Sequence, residues 1–73
     1  MASLDVRNTR RLLRHRLSRK YLRDGGWTPD VNKATDFQNI RQVVETCLEQ
    51  QLEEVELVLR FDGTSLEIAI RIR

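Results

Sequence analysis

The stretch Val55-Glu56-Leu57-Val58-Leu59-Arg60-Phe61-Asp62-Gly63-Thr64-Ser65-Leu66-Glu67-Ile68-Ala69-Ile70-Arg71-Ile72 decides the fold. Apolar and polar residues alternate on both sides of Asp62-Gly63-Thr64-Ser65, the period of a half-buried strand. Gly63 supplies the positive φ that a tight hairpin turn demands. Pairing residues symmetrically about Gly63-Thr64 sets Phe61 opposite Leu66, Leu59 opposite Ile68, Leu57 opposite Ile70 and Val55 opposite Ile72, all on one face. The other face then sets Arg60 against Glu67 and Glu56 against Arg71. Opposite charges facing across a ladder contribute roughly 0.2–1 kcal/mol each. Turn, face and charge agree on one register.

Upstream the period changes to 3.6. Ile40, Val43, Val44, Cys47 and Leu48 form one apolar stripe of a helix near residues 40–52, expected to face the core. Arg41, Gln42, Glu45, Glu49 and Gln50 take the opposite face. Asn39 is an N-cap candidate, with Gln42 at capping-box spacing, and Thr35 or Asp36 would instead start the helix a turn earlier.

Further upstream lies a block of basic residues. Residues 1–23 carry eight basic side chains against Asp5 alone, a balance of +7, whereas residues 24–73 carry five basic and ten acidic groups, a balance of −5. Such segregation calls for an electrostatic partner, either another molecule or the chain's own acidic half. The block reads in two ways. As a helix it has good formers and apolar Leu13, Leu17 and Tyr21, ending at Gly25-Gly26. As a hairpin it has a strand over 12–16, a turn at Leu17-Ser18-Arg19 and a strand over 20–23. Local propensity favours the helix. Tertiary logic favours the hairpin, because four strands cover a helix better than two.

The string Lys20-Tyr21-Leu22, Gly26-Trp27-Thr28, Asp30, Ala34 and Phe37 resembles a pattern in a group of small uncharacterised bacterial proteins. They carry K-Y-hydrophobic, G-x-W-T and A-x-x-F motifs, then a helix and a strand like Val55-Glu56-Leu57-Val58-Leu59. The likeness covers residues 12 to about 61 and brings no assigned activity. It implies a two-layer α+β fold of β-β-α-β-β order, an antiparallel sheet of about four strands with one helix on one face and the Trp in the loop after the second strand. The alternative is an N-terminal basic helix followed by α-β-β. Where a glycine is common near the helix end in that group, this chain has Gln51, which leaves the end of the helix open.

At 73 residues the chain is one small domain, near the length where a single core barely suffices. Residues 1–9 are a candidate disordered segment, and 10–73 the α+β domain. Small chains often complete a core by pairing, so a homodimer is a natural expectation. No apolar h-region opens the sequence, no run reaches membrane-spanning length, and the lone Cys47 excludes an internal disulfide. These features imply a cytoplasmic protein with no membrane partner.

Chemistry is not legible. Catalysis requires a nucleophile, an acid–base pair or a metal in mutual geometry. Cys47 sits in the apolar stripe, where it packs as a small hydrophobe. His15 lies between Arg14 and Arg16, a solvated imidazole on a basic strand. No Cys/His spacing fits zinc, and Gly25-Gly26 lacks the rest of a phosphate loop. The sequence therefore implies no enzyme, no cofactor, no metal and no small-molecule substrate. What remains is a protein-interaction module using an Arg-rich edge, with Arg10, Arg11, Arg14, Arg16, Arg19, Lys20, Arg23 and Trp27 as candidate contact residues. Its partner would be an acidic protein surface or a second copy. The alternative is nucleic-acid binding, with Arg and Lys on phosphates and Tyr21 or Trp27 stacking on bases. Sparse aromatics and an acidic C-terminal half weigh against it.

Overall fold

A computed structural model describes residues 9–73, and all structural statements concern these. The element order is β1 (Thr9–His15), β2 (Tyr21–Arg23), β3 (Gly26–Thr28), a short 3-10 turn (Val31–Lys33), α1 (Ile40–Glu49), β4 (Val55–Phe61) and β5 (Glu67–Arg71). The strands form one antiparallel sheet in the order β3-β2-β1-β4-β5. The α+β layout is as expected, but the sheet has five strands. Residues 9–23 of the N-terminal block form a hairpin and not a basic helix, with β1 starting at Thr9 and not at residue 12. The expectation for residues 1–9 falls outside the described residues except at Thr9, which opens β1.

The additional strand is the one that carries Trp27. The resemblance placed this residue in a loop. Instead, Gly25 at φ 76 turns the chain after β2, and Trp27 lies opposite Leu22 in a third strand. A glycine in the left-handed region is what so short a connection needs.

The C-terminal hairpin has the expected register, with Leu57 opposite Ile70, Leu59 opposite Ile68 and Arg60 opposite Glu67. Of the two expected cross-strand ion pairs, Arg60 reaches Glu67 at 3.3 Å. The Glu56 carboxylate instead meets Arg14 and Arg19.

Asn39 caps α1, its side-chain oxygen accepting the Gln42 N–H at 2.9 Å. The Gln42 side chain reaches back to the Gln38 N–H at 3.0 Å, one residue earlier than a capping box requires. The helix stops at Glu49 because Gln51 turns left-handed, at φ 52. The Gln51 N–H donates to the Leu48 carbonyl and the Leu52 N–H to the Cys47 carbonyl, the bond pair of a Schellman ending.

The stripe on α1 is narrower than its sequence suggests. Val43 and Cys47 are buried against Leu13, Leu22, Phe37, Val55 and Leu57, while Ile40, Val44 and Leu48 are exposed, Leu48 at 63%. On the opposite face of the sheet, Leu12, Tyr21 and Val58 form a second cluster, closed by Val31 and Ala34 of the crossing segment after β3. That segment then rejoins β1 at its edge, where the Phe37 N–H donates to the Arg11 carbonyl.

Candidate functional site

Much of the basic block is engaged by the chain's own carboxylates, although among its described basic residues only Arg14 is buried. Arg14, only 5% exposed, lies across from Glu56 on β4 and Tyr21 on β2. Its Nε donates to Glu56 Oε2 at 2.6 Å and its Nη1 to Glu67 Oε1 at 3.0 Å. The Tyr21 hydroxyl accepts from Nη1 at 3.4 Å, and the guanidinium carbon stands 5.8 Å from the ring centroid. Burial alone would lower the Arg14 pKa, but the bonds to Tyr21, Glu56 and Glu67 outweigh it and raise the pKa above its ordinary value. Arg19 adds a bond to Glu56 at 3.3 Å, and Arg60 closes on Glu67. A guanidinium suits this position because its five donors form a fixed fork that can serve two carboxylates at once.

Two further members of the block pair with acidic residues near the ends of β4: Arg10 with Asp62 at 2.8 Å, and Arg16 with Glu54. Four of the eight candidate contact residues, Arg10, Arg14, Arg16 and Arg19, are thus held by carboxylates of the chain itself. Arg11, Lys20 and Arg23 form no ion pair among the described residues. Arg14 and Arg16 do not share a strand face as a common contact patch, because β1 ends at His15 and Arg16 turns to Glu54.

Trp27 is half-exposed. Its ring meets His15 edge-on, at 5.6 Å between centroids and 76° between planes. Together with Ser18 and Lys20 they line an open recess of about 240 Å³. His15 Nδ1 accepts the Ser18 N–H at 3.1 Å, which fixes the ring at the β1–β2 turn.

Cys47 is buried at 1% exposure, and desolvation raises its thiol pKa, with Arg73 opposing weakly. Among the described residues no group of three or more His, Cys, Asp or Glu side chains is placed to hold a metal ion. Nor is any helix among them long and apolar enough to cross a membrane.

The surface that sequence reasoning missed is apolar. Gln42, Thr46 and Glu49 flank Thr35 and Phe37 on one side of α1, and Thr46 and Gln50 also adjoin Leu22 and Arg23 of β2. At 3.6 residues per turn, Ile40, Val44 and Leu48 therefore lie on the opposite flank, toward β4 and β5. There the floor of the sheet carries Leu59, Leu66, Ile68 and Ile70, with Ile68 49% and Ile70 48% exposed. Every residue of β5 is exposed. A width argument could have found this trough. Five strands about 4.8 Å apart make a face roughly twice as wide as one helix of about 10 Å. A single helix over β1 must leave the β5 side bare.

In comparisons with known proteins, no family model, no curated protein and no solved structure matches this chain.

Proposed function

We propose that this chain is a small non-enzymatic protein-interaction module whose contact surface is the apolar trough between α1 and β5. The observation that carries this reading is the joint exposure of Ile40, Val44 and Leu48 on the helix with Leu66, Ile68 and Ile70 on the sheet. Scattered exposed apolar residues are ordinary, but a contiguous patch on a small domain marks an interaction surface. The arginines support the same reading indirectly. With Arg10, Arg14, Arg16 and Arg19 bound to internal carboxylates, much of the +7 block serves the fold. Among the described residues, nucleic-acid binding would rest on Arg11, Lys20 and Arg23 together with Trp27, a small footprint for phosphate contacts.

Affinity capture from lysate, with and without nuclease, tests the reading when the wild-type chain is run beside Ile70→Lys. Loss of the captured protein on Ile70→Lys, indifferent to nuclease, supports the module. Capture unchanged by Ile70→Lys and abolished by nuclease would replace it with the nucleic-acid reading.

A further inference from the structure

The two edges of the sheet are unlike. β3, at one edge, is three residues long and ends in the turn to Val31. β5, at the other, runs five residues with no proline, glycine or bulge, and among the described residues no further strand pairs with its outer side. Natural sheets usually blunt an edge of this kind, because its free backbone groups form a template for another strand.

The ladder fixes which groups are free. The Phe61 N–H donates to the Leu66 carbonyl at 3.3 Å, and the Ile72 N–H to the Val55 carbonyl at 3.1 Å. Antiparallel bonding alternates along a strand, so the even-numbered positions from Leu66 to Ile72 bond inward to β4. Glu67, Ala69 and Arg71 turn their N–H and C=O groups outward.

From this edge we infer that two copies of the chain associate through β5, antiparallel and in register about Ala69, joining their sheets into one of ten strands. The inference rests on the interaction-module reading and names its partner as a second copy. In this register Ala69 faces Ala69 of the partner subunit across the two-fold axis. Glu67 faces Arg71 of the partner subunit, and Arg71 faces Glu67 of the partner subunit. Sliding by two residues leaves a charged residue opposite Ala69, and sliding by four sets Glu67 or Arg71 against its own copy. One register alone matches both charges.

The side chains agree. Among the described residues Arg71 has no ion-pair partner, and the Glu67 side chain remains 31% exposed although it binds Arg14 and Arg60. Arg71 therefore reaches a carboxylate that its own chain leaves partly open. On the helix-bearing face, Ile68 falls opposite Ile70 of the partner subunit. This is a non-hydrogen-bonded position, where side chains approach most closely and β-branched residues pair well. The bare floors of the two troughs become continuous, and the two copies of α1 stand on the same side of the joined sheet.

Sedimentation velocity and light scattering over a concentration series test this with the full chain. The wild type should run as a dimer. Ala69→Pro should run as a monomer with an unchanged circular dichroism spectrum, since the N–H it removes points away from β4 and the monomer loses no ladder bond. Arg71→Glu, at an exposed position, should weaken dimerisation at least tenfold by setting like charges against each other twice, and it carries the test if Ala69→Pro fails to fold. A wild-type chain that stays monomeric throughout would overturn the inference, as would a dimer that both variants leave intact. A monomer that still captures a protein in an Ile70-dependent manner would leave the module reading standing. A monomer that captures nothing through Ile70 would end both.

Discussion

Arg14 Nε stands 2.6 Å from Glu56 Oε2, two buried charges opposite each other on neighbouring strands. Removing one member of such a pair strands the other in low dielectric, at a cost of about 3–5 kcal/mol. Glu56→Ala should accordingly lower stability by about 3 kcal/mol or more, as read from urea unfolding. The double variant Arg14→Met, Glu56→Leu should recover most of the loss, because a packed apolar pair needs no desolvated charge. If the two single variants and the double variant are all equally unstable, the pair is not the coupled unit that the geometry describes.

The helix makes a sharper contrast than its sequence did. Val43 is fully buried and Leu48 is largely exposed. Val43→Ala removes apolar bulk from the core and should cost about 2 kcal/mol. Leu48→Ala should stay within about 0.5 kcal/mol, the usual range for a surface position. Denaturation midpoints at matched chain concentration and equal slope check the order. A larger loss at Leu48 would mean that α1 is rotated from the orientation seen.

How much of this was legible follows from the reach of each signal. The β4–β5 register was fully readable, because alternation, Gly63 and the Arg60–Glu67 charges are local and agree. The cap at Asn39 was readable for the same reason. The N-terminal hairpin needed a tertiary argument, since almost no residue between Arg7 and Arg23 favours a strand. β3 was missed because Gly26-Trp27-Thr28 is too short to show a period. The site was the least legible part. A stripe of apolar residues says that a face avoids water, but not whether its own chain is wide enough to cover it. A run of arginines likewise does not reveal that Glu54, Glu56, Asp62 and Glu67, some forty residues or more away, will meet it.

Gln51 holds the left-handed conformation that ends α1, at φ 52. A residue with a Cβ is disfavoured there by roughly 1–2 kcal/mol, and glycine is not. Gln51→Gly should therefore raise stability by about 1 kcal/mol, less what the freer unfolded chain takes back. Gln50→Gly, one residue earlier at φ −94, has no such strain to relieve and should be neutral or destabilising. Thermal unfolding of the two variants checks the sign. A stabilised Gln50→Gly with a destabilised Gln51→Gly would move the end of the helix.

Cys47 ties a chemical property to the packing of α1. At 1% exposure the thiol should resist alkylation in the folded chain and react fully once the chain is unfolded in urea. Burial raises its pKa above the ordinary 9.0, so the folded state holds the thiol proton more tightly than the unfolded state does. Below that ordinary value both states are protonated, and the contribution to stability is fully present. As pH rises past 9.0, the unfolded thiol ionises first, the unfolded state gains, and stability falls until the folded thiol also ionises. Urea midpoints measured for the wild type and Cys47→Ala between about pH 7 and 10 isolate this contribution, because the variant lacks the group. The gap between the two chains should be constant at the lower end and narrow at the upper end. A gap independent of pH, or native-state labelling as fast as that of the unfolded chain, would show that Cys47 is open to solvent and that α1 does not close over it.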